Sequence, residues 1–304
     1  MTRALFVFVD GIGLGAASDS NPFATAPLPG FARLSGGSPW TADASPIRQL
    51  DHVFGPIDAT LGVEGLPQSG TGQAALLTGL NAAEIHRRHF GPYPPTTVRP
   101  HVANSSIFAQ LVAQGIPPNQ LAFANAYPDR FFRFVEARGR WTTTTLAAHS
   151  AGVRLRTADD LRDGLAIPAD LTGEGWKRVI DRSFQPFDEP ESARRVHQLV
   201  ASHRLTLVEY YLTDKAGHSQ DPERASSILA SLDRFFQNLV EGLDLSQTLL
   251  VLTSDHGNLE DLSVKTHTRN PVPLVALGAG ADRFADASSL LDVTPMLMNA
   301  LVTG

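Results

Sequence analysis

Residues 5–10 read LFVFVD, residues 207–214 read LVEYYLTD and residues 249–256 read LLVLTSDH. Each segment is an apolar run typical of a buried strand, and each run meets an aspartate at or near its end. In an open α/β sheet, functional groups gather outside the carboxyl ends of the strands, so we expect the three carboxylates to meet at one edge. His218 and His256 follow the second and third aspartates closely. The pattern therefore predicts a metal site.

The composition is that of an ordinary globular protein. The chain has 304 residues, of which 42% are hydrophobic and 18% are charged, enough for one large core or two smaller ones. The net charge of -6 argues against a nucleic-acid surface, which normally carries a basic excess. Because there is no cysteine, any metal must be held by oxygen and nitrogen. The short amino-terminal apolar run and the lack of a membrane-length segment lead us to expect a cytoplasmic protein without membrane contact.

Predicted helices alternate with predicted strands along most of the chain. This alternation favours an α/β fold with a doubly wound, mostly parallel sheet flanked by helices. We expect helices over 73–80, 105–115, 192–203 and 223–243, and strands over 120–126, 248–253 and 272–277, besides those already named. We treat 1–304 as a single domain in which the segments 82–103 and 129–199, which lack clear periodicity, form a small lid or insert.

The glycine run at residues 11–16, GIGLGA, superficially matches a dinucleotide-binding fingerprint. No helix pattern opens there, and no acidic residue stands about 20 residues further on, where the ribose would be bound. The context therefore disfavours a dinucleotide-dependent oxidoreductase. We interpret the run as a loop that frees Asp10 to face the site.

Further metal-ligating residue types stand next to the predicted strands. Asp214 and His218 are four residues apart, Asp255 and His256 are adjacent, and His267 precedes the last strand. Each pair alone is ambiguous, since an isolated Asp-x-x-x-His is usually a helix cap and a surface histidine. Together these residues supply two sets of ligands suited to Zn²⁺ or Mn²⁺.

Residues 69–72, SGTG, precede a predicted helix and carry two hydroxyl groups. Backbone N–H groups and the helix dipole favour phosphate at such a position, although a simple Ser/Thr helix cap explains the residues equally well. The metal ligands elsewhere in the chain favour a nucleophile, because metal coordination is a recognised way to activate an alcohol.

These motifs together resemble the alkaline phosphatase superfamily, and most closely its cofactor-independent phosphoglycerate mutases and phosphopentomutases. The motifs are Val9-Asp10-Gly11, Ser69-x-x-Gly72, Asp214-x-x-Gly217-His218, Asp255-His256-Gly257-Asn258-x-Glu260, and His267 ahead of Asn270-Pro271-Val272-Pro273. The resemblance covers residues 1–81 and 200–304, and the unit at 105–127 resembles another part of the same core.

The resemblance implies two divalent metal ions, Mn²⁺ or Zn²⁺, a small-molecule phosphate ester as substrate, and Ser69 as the residue phosphorylated. One ion would be held by Asp10, Ser69, Asp255 and His256, and the other by Asp214, His218 and His267. It leaves open a phosphatase, a phosphomutase and a phosphodiesterase. An inactive binding module is disfavoured, because each of these ligand positions and the nucleophile are present. The oligomeric state stays open.

The chain departs from those mutases in two respects. Gln73 stands where they have histidine, and the sequence between Leu80 and Ser105 is too short for their inserted substrate-gripping cap. A reduced lid makes a detached alcohol harder to retain, so we favour hydrolysis over transfer. Candidate substrate-binding residues are Thr71, Arg87, Arg88 and Arg99, with a solvated basic loop as the alternative for the three arginines.

Overall fold

The computed structural model describes residues 2–303. Its strands are β1 (Arg3–Val9), β2 (Ile47–Arg48), β3 (His52–Ile57), β4 (Leu121–Phe123), β5 (Leu205–Tyr210), β6 (Thr248–Thr253) and β7 (Val272–Gly278). Within the described residues these seven strands form one sheet in the order β2-β3-β7-β6-β1-β5-β4. The neighbours β4, β5, β1 and β6 are parallel, whereas β7, β3 and β2 pair antiparallel. The α/β prediction is confirmed, and the structure adds an antiparallel edge that makes the sheet mixed.

Helices pack on both faces of this sheet. They are α1 (Pro22–Thr25), α2 (Pro29–Leu34), α3 (Ser69–Thr78), α4 (Ala82–His86), α5 (Arg99–Ser105), α6 (Ile107–Ala113), α7 (Asp129–Arg138), α8 (Thr143–Ser150), α9 (Ala158–Arg162), α10 (Glu174–Val179), α11 (Glu189–Ser202), α12 (Leu212–Ser219), α13 (Pro222–Gly242) and α14 (Leu290–Val302), with 3₁₀ turns at Pro118–Gln120 and Ala281–Phe284. The helix predicted over 223–243 is α13, displaced by one residue at each end. The aperiodic segment 82–103 contains α4 and the start of α5.

The side chains of β1 alternate between two hydrophobic cores. Phe6 and Phe8 pack in the core that includes α3, α6 and α14, whereas Leu5, Val7 and Val9 pack in the core that includes α11 and α13. Both faces of the strand are therefore covered. This double coverage explains why the strand reads as a continuous apolar run instead of an alternating one.

Strand direction decides which loops meet at the edge of the sheet. The parallel strands β1, β5 and β6 end at the same edge, where their aspartates follow. Because β7 runs against β6, it begins at that edge, and His267 lies just before it. Because β3 runs against β7, it ends there, and the chain continues from it to Ser69 at the start of α3.

The segment 129–199 contributes to a small hydrophobic cluster of its own. Its buried members are Ala126, Leu161, Ala166, Trp176 and Phe184. The division of the chain into a main domain and lid segments stays a prediction. No helix within the described residues is long and apolar enough to span a membrane.

We expect Leu232→Ala to destabilise the protein strongly, because Leu232 lies on α13 and is fully buried in the core on that side of the sheet. Removing a buried leucine side chain costs about 2–5 kcal/mol, through lost burial and the cavity left behind. Urea denaturation measures the loss. Leu50→Ala is the matched control, since that side chain is 81% exposed and its truncation should change stability by less than about 0.5 kcal/mol. Equal effects of the two substitutions would contradict the assignment of α13 to the core.

Candidate metal centre

The first group of candidate ligands lies at the ends of β1 and β6. Asp10 follows β1, Asp255 and His256 lie just beyond β6, and all three are buried. The Nε2 atom of His256 lies 3.3 Å from Asp10 Oδ1 and 3.5 Å from Asp255 Oδ2. One ligand atom from each residue lies within 4.8 Å of the other two. The side chains meet because β1 and β6 are neighbouring parallel strands.

The second group consists of Asp214 and His218 on α12 and His267 before β7. The Nε2 atoms of the two histidines each lie 3.4 Å from a different carboxylate oxygen of Asp214. The His218 side chain is 45% exposed, so this group is open to solvent. The rings of His256 and His267 stack with 3.8 Å between their centroids, which places the two groups side by side.

Hydrogen bonds fix the tautomers of the two histidines in the second group. The Nδ1 atom of His267 lies 2.7 Å from the Pro67 carbonyl oxygen, and that of His218 lies 2.8 Å from the Lys265 carbonyl oxygen. A carbonyl only accepts, so each Nδ1 carries a proton, and each ring can present its Nε2 lone pair to a cation. The two Nε2 atoms are 3.1 Å apart. Lone pairs converging beside a carboxylate repel one another unless a cation lies between them, which is the usual environment of metal-bound histidine.

Burial and charge shift the pKa values of the first group in a way that also fits a cation. Burial, and then the charges of Asp255 and Asp214, hold the pKa of Asp10 well above its usual range. Burial and the charge of Asp214 raise the pKa of Asp255 to about 7. Burial and neighbouring His267 lower the pKa of His256 to about 3, which leaves it neutral. Within the described part of the chain, Asp10 Oδ1 and Asp255 Oδ2 have no hydrogen-bond partner. The residues present therefore suit divalent cations.

Ser69 is the first residue of α3 and adjoins the first group. Its Oγ lies 3.0 Å from Nε2 of His256, and the residue retains 8% exposure. Thr71 is fully buried instead, and its hydroxyl donates to the Gln68 carbonyl oxygen over 3.2 Å. The geometry favours Ser69 over Thr71 as the nucleophile, and a substrate-binding role for Thr71 stays a prediction.

The first turn of α3 packs tightly against the loop that follows α4. A Cβ atom on Gly70 would collide with the backbone carbonyl oxygens of Phe90 and Tyr93. Thr71 adds two hydrogen bonds to the same loop, because its backbone N–H donates to the Phe90 carbonyl and its hydroxyl accepts from the Phe90 N–H. Glycine at position 70 thus allows the loop to fix the position of the Ser69 hydroxyl.

Glu260 links the three loops that carry the ligands. Its carboxylate accepts the backbone N–H of Gly13 over 2.8 Å and that of Asn258 over 2.7 Å. The Asn270 amide donates to it over 3.0 Å, and the Thr268 hydroxyl donates to the same oxygen. The loop after β1, the loop after β6 and the segment before β7 are therefore held in one arrangement.

Two amides position the aspartates. Gln73 donates to Asp10 Oδ2 over 3.1 Å, and Asn258 donates to Asp214 Oδ1 over 2.6 Å. Burial opposes ionisation of Asp214, but its interactions with the His267 and His256 side chains and the hydrogen bond from Asn258 lower its pKa to about 2. Gln73 stands at the position where the similar mutases have histidine. Its amide thus contacts Asp10, a candidate metal ligand.

The glycine run after β1 brings backbone close to the site instead of starting a helix. Gly11 has a φ of +74°, and a Cβ there would lie 2.8 Å from Asp214. A Cβ on Gly13 would collide with the Glu260 carboxylate. The next helix, α1, begins only at Pro22. These contacts support the interpretation of the run as a loop that positions Asp10.

The basic residues proposed for substrate binding make contacts within their own loop. Arg87 ends α4 with a φ of 64°, Arg88 lies over the Phe90 ring at 5.9 Å, and Arg99 donates to the Pro94 carbonyl oxygen. Their role in substrate binding stays a prediction.

A cavity of about 1100 Å³ lies between the segment 129–199 and the ends of β5, α12 and α13. Aromatic side chains are prominent in its lining, among them Tyr127, Phe131, Phe134, Trp176 and Tyr211, and Lys215 lies beside them. The sequence analysis did not predict this cavity. The wall is assembled from segments that are far apart along the chain, so no local pattern reveals it.

Glu209 lines the same cavity from the end of β5. Its carboxylate accepts hydrogen bonds from the Tyr127 hydroxyl over 3.1 Å and the Thr144 hydroxyl over 3.0 Å. Burial raises the pKa of Glu209 to about 7, although these hydrogen bonds act against the shift. The sequence did carry a signal for this residue, because a single carboxylate interrupts the apolar run at 207–211.

Comparison with known proteins connects this site to metalloenzymes. Residues 179–303 match the model of the Metalloenzyme superfamily. The chain is similar to a 2,3-bisphosphoglycerate-independent phosphoglycerate mutase of Pyrococcus abyssi, with 22% identity over 192 residues, which are 59% of this chain and 43% of the mutase. The chain therefore spans less than half the length of that relative.

Two solved structures share the fold. A superposition on the PH0037 protein from Pyrococcus horikoshii has a TM-score of 0.58 and 14% identity, and covers 100% of this chain and 97% of the other. An alkaline phosphatase from the Antarctic bacterium TAB5 gives a TM-score of 0.57 and 10% identity, with 98% of each chain covered. At these identities the likeness concerns the fold alone.

We expect metal binding to release protons at pH 6. The pKa of Asp255 in the metal-free protein is about 7, so this carboxyl is mostly protonated at pH 6 and ionised at pH 9. A divalent cation requires the ionised form, so binding should release more protons at pH 6 than at pH 9, about one of them from Asp255. Calorimetric titration of Mn²⁺ or Zn²⁺ in buffers of different ionisation enthalpy counts the protons.

Asp255→Asn tests which group supplies that proton. The amide removes the titrating group, so the extra release at pH 6 should fall even where a metal still binds. Asp261→Asn is the matched control, because Asp261 lies outside both ligand groups and should leave the count unchanged. A proton count that is the same at both pH values in the unmodified protein would contradict the assignment.

Proposed function

We propose that this member of the alkaline phosphatase superfamily of metalloenzymes hydrolyses a small phosphate monoester through a phosphorylated Ser69. The observation that carries the proposal is the position of the Ser69 hydroxyl, 3.0 Å from Nε2 of His256 and at the start of a ten-residue helix. A nucleophilic oxygen is thus held beside a cluster of groups suited to cations, where a phosphoryl group can also meet the positive end of a helix dipole.

Each of the two ligand groups would bind one metal ion. Asp10, Ser69, Asp255 and His256 would hold one divalent ion, and Asp214, His218 and His267 would hold a second, with Mn²⁺ and Zn²⁺ both compatible with these ligands. Bound ions supply charge neutralisation at the phosphoryl oxygens and lower the pKa of a coordinated hydroxyl. The chain itself contributes the fixed geometry, through the hydrogen bonds of Glu260 and Asn258.

The reaction needs two displacements at phosphorus. In the first, Ser69 Oγ forms a bond to phosphorus while the ester bond to the alcohol breaks. In the second, water forms a bond to phosphorus while the bond to Ser69 breaks, which releases inorganic phosphate. The exposure of His218 supports access of water to the second ligand group.

The alternative is a phosphomutase, which the likeness to the phosphoglycerate mutase favours. A mutase must keep its dephosphorylated alcohol enclosed until transfer is complete. The stretch between Leu80 and Ser105 forms only α4, a loop and α5, packed against α3. That arrangement favours hydrolysis. A phosphodiesterase is the third candidate. A screen of phosphomonoesters and phosphodiesters, with Mn²⁺ and then with Zn²⁺, distinguishes it from the other two.

We expect Ser69→Ala to lower turnover by on the order of 10³-fold or more, because the phosphoryl acceptor is lost. Phosphomonoester hydrolysis in the presence of Mn²⁺ or Zn²⁺ measures the loss. Thr71→Ser is the control, because serine retains the hydroxyl that bonds to the Gln68 carbonyl, and it should keep most of the activity. Acid trapping followed by fragment mass analysis should place the phosphoryl group on Ser69. A label on Thr71, or full activity of Ser69→Ala, would overturn the nucleophile assignment.

We expect a substrate incubated in ¹⁸O-water to yield labelled inorganic phosphate as the main product, because water reaches the phosphorylated serine. Mass spectrometry of phosphate and of the remaining ester measures the partition. Heat-denatured protein provides the background of uncatalysed hydrolysis. An isomerised ester without free phosphate would refute hydrolysis and establish the mutase alternative.

A further inference from the structure

The aromatic cavity adjoins the second ligand group through α12. This helix carries Asp214 and His218, and its residue Lys215 lines the cavity. On the same wall, the backbone carbonyl of Tyr210 accepts the N–H of Asp10. α12 and the end of β5 are thus shared by the ligand edge and the cavity wall.

The volume of the cavity exceeds what a small alcohol needs. Ligand pockets of about 300–1,000 Å³ enclose most of the surface of drug-sized molecules, and this cavity measures about 1100 Å³. A three-carbon acid would leave most of that space to water. The volume of the cavity therefore favours an alcohol that is much larger than a three-carbon acid.

The side chains of the cavity wall indicate the chemical class of that alcohol. Rings from three parts of the chain line it, with Tyr127 and Phe131 only 4.3 Å apart and tilted by 34°. Lys215 Nζ lies 4.4 Å from the centre of the Tyr211 ring and adds a cation at the end nearest the ligand groups. Aromatic walls favour flat rings, because offset and edge-to-face contacts add to the burial of apolar area.

Three acidic residues of the wall are already engaged within the protein. Glu189 accepts hydrogen bonds from Arg234 and Ser231, and Asp170 accepts the backbone N–H of Gly173. Glu209 is likewise bonded to two hydroxyl groups. These three acids therefore serve the structure of the wall. Glu174, Arg130 and Arg178 add polar groups to the lining, and the aromatic rings supply its flat apolar surface.

We infer that the cavity binds the alcohol part of the substrate and that this alcohol carries a flat aromatic or heteroaromatic ring. The inference rests on the proposed function, since it takes the phosphate to lie at the metal centre. It narrows the substrate from phosphate monoesters in general to ring-bearing monoesters, and it makes Phe131 and Tyr211 specificity-determining residues.

Two ester pairs test the inference without a large change in the leaving group. The first pair is 2-phenylethyl phosphate and ethyl phosphate, and the second is adenosine 5′-monophosphate and ribose 5-phosphate. With Mn²⁺ or Zn²⁺ bound, we expect kcat/KM to be at least about tenfold higher for the ring-bearing member of at least one pair, the usual worth of one stacking contact. Ratios near one in both pairs would overturn the inference and leave hydrolysis intact.

Neighbouring residues of α7 supply a matched pair of variants. Phe131 and Phe132 are both half-buried, but Phe131 lines the cavity and Phe132 does not. Phe131→Ala should reduce the preference for 2-phenylethyl phosphate by about tenfold while kcat/KM for ethyl phosphate is maintained. Phe132→Ala should leave the preference unchanged. Phe134→Ala, at a cavity residue that is 41% exposed, provides a second test if Phe131→Ala fails to fold. Equal effects of the lining and control substitutions would overturn the inference.

A binding measurement separates the cavity from catalysis. Trp176 lines the cavity, so 2-phenylethanol should change its fluorescence in both the metal-free and the metal-loaded protein, and ethanol at the same concentration should not. Trp176→Phe identifies the responding residue. No response in the unmodified protein would overturn the inference. If 2-phenylethanol binds but no ester is hydrolysed with either metal, the phosphatase proposal fails, and the substrate assignment fails with it.

Discussion

The mutual repulsion of Asp10, Asp214 and Asp255 is the constraint on which the site depends. Two of these carboxylates are buried, and burial and like charge raise their pKa values. Such a cluster is costly in a folded protein unless protons or cations offset the charge. The Nε2 atoms of His218 and His267 face the same region, because each Nδ1 donates to a backbone carbonyl oxygen, and they add ligand atoms for a cation. The folded chain is therefore built to exchange protons for metal.

The rest of the fold holds the three aspartates in place despite this repulsion. The aspartates follow strands whose side chains are buried on both faces, so the backbone at each ligand has little freedom to move away. Glu260 then joins the loops after β1 and β6 by accepting two backbone N–H groups. A carboxylate that is not itself a candidate ligand thus fixes the geometry of the ligands, as expected for the surroundings of a metal site.

The substrate side of the site has a different construction. Short helices and loops from 129–199 form one wall of the aromatic cavity, while α12 forms another and also carries Asp214. Chemistry at the sheet edge and recognition in the cavity are thus supported by different parts of the chain.

The sequence alone determined the strands that end in aspartates, the α/β class, and the ligand types, because strand burial and residue chemistry are local properties. Neighbouring motifs also indicated Asn258 and Glu260. The antiparallel direction of β7, which brings His267 to the ligand edge, was decided by tertiary pairing. The lengths of the lid helices and the cavity around Glu209 were likewise decided by contacts between segments far apart in the chain. A local pattern records which side chains a segment carries, whereas only the packed structure determines which of them face one another.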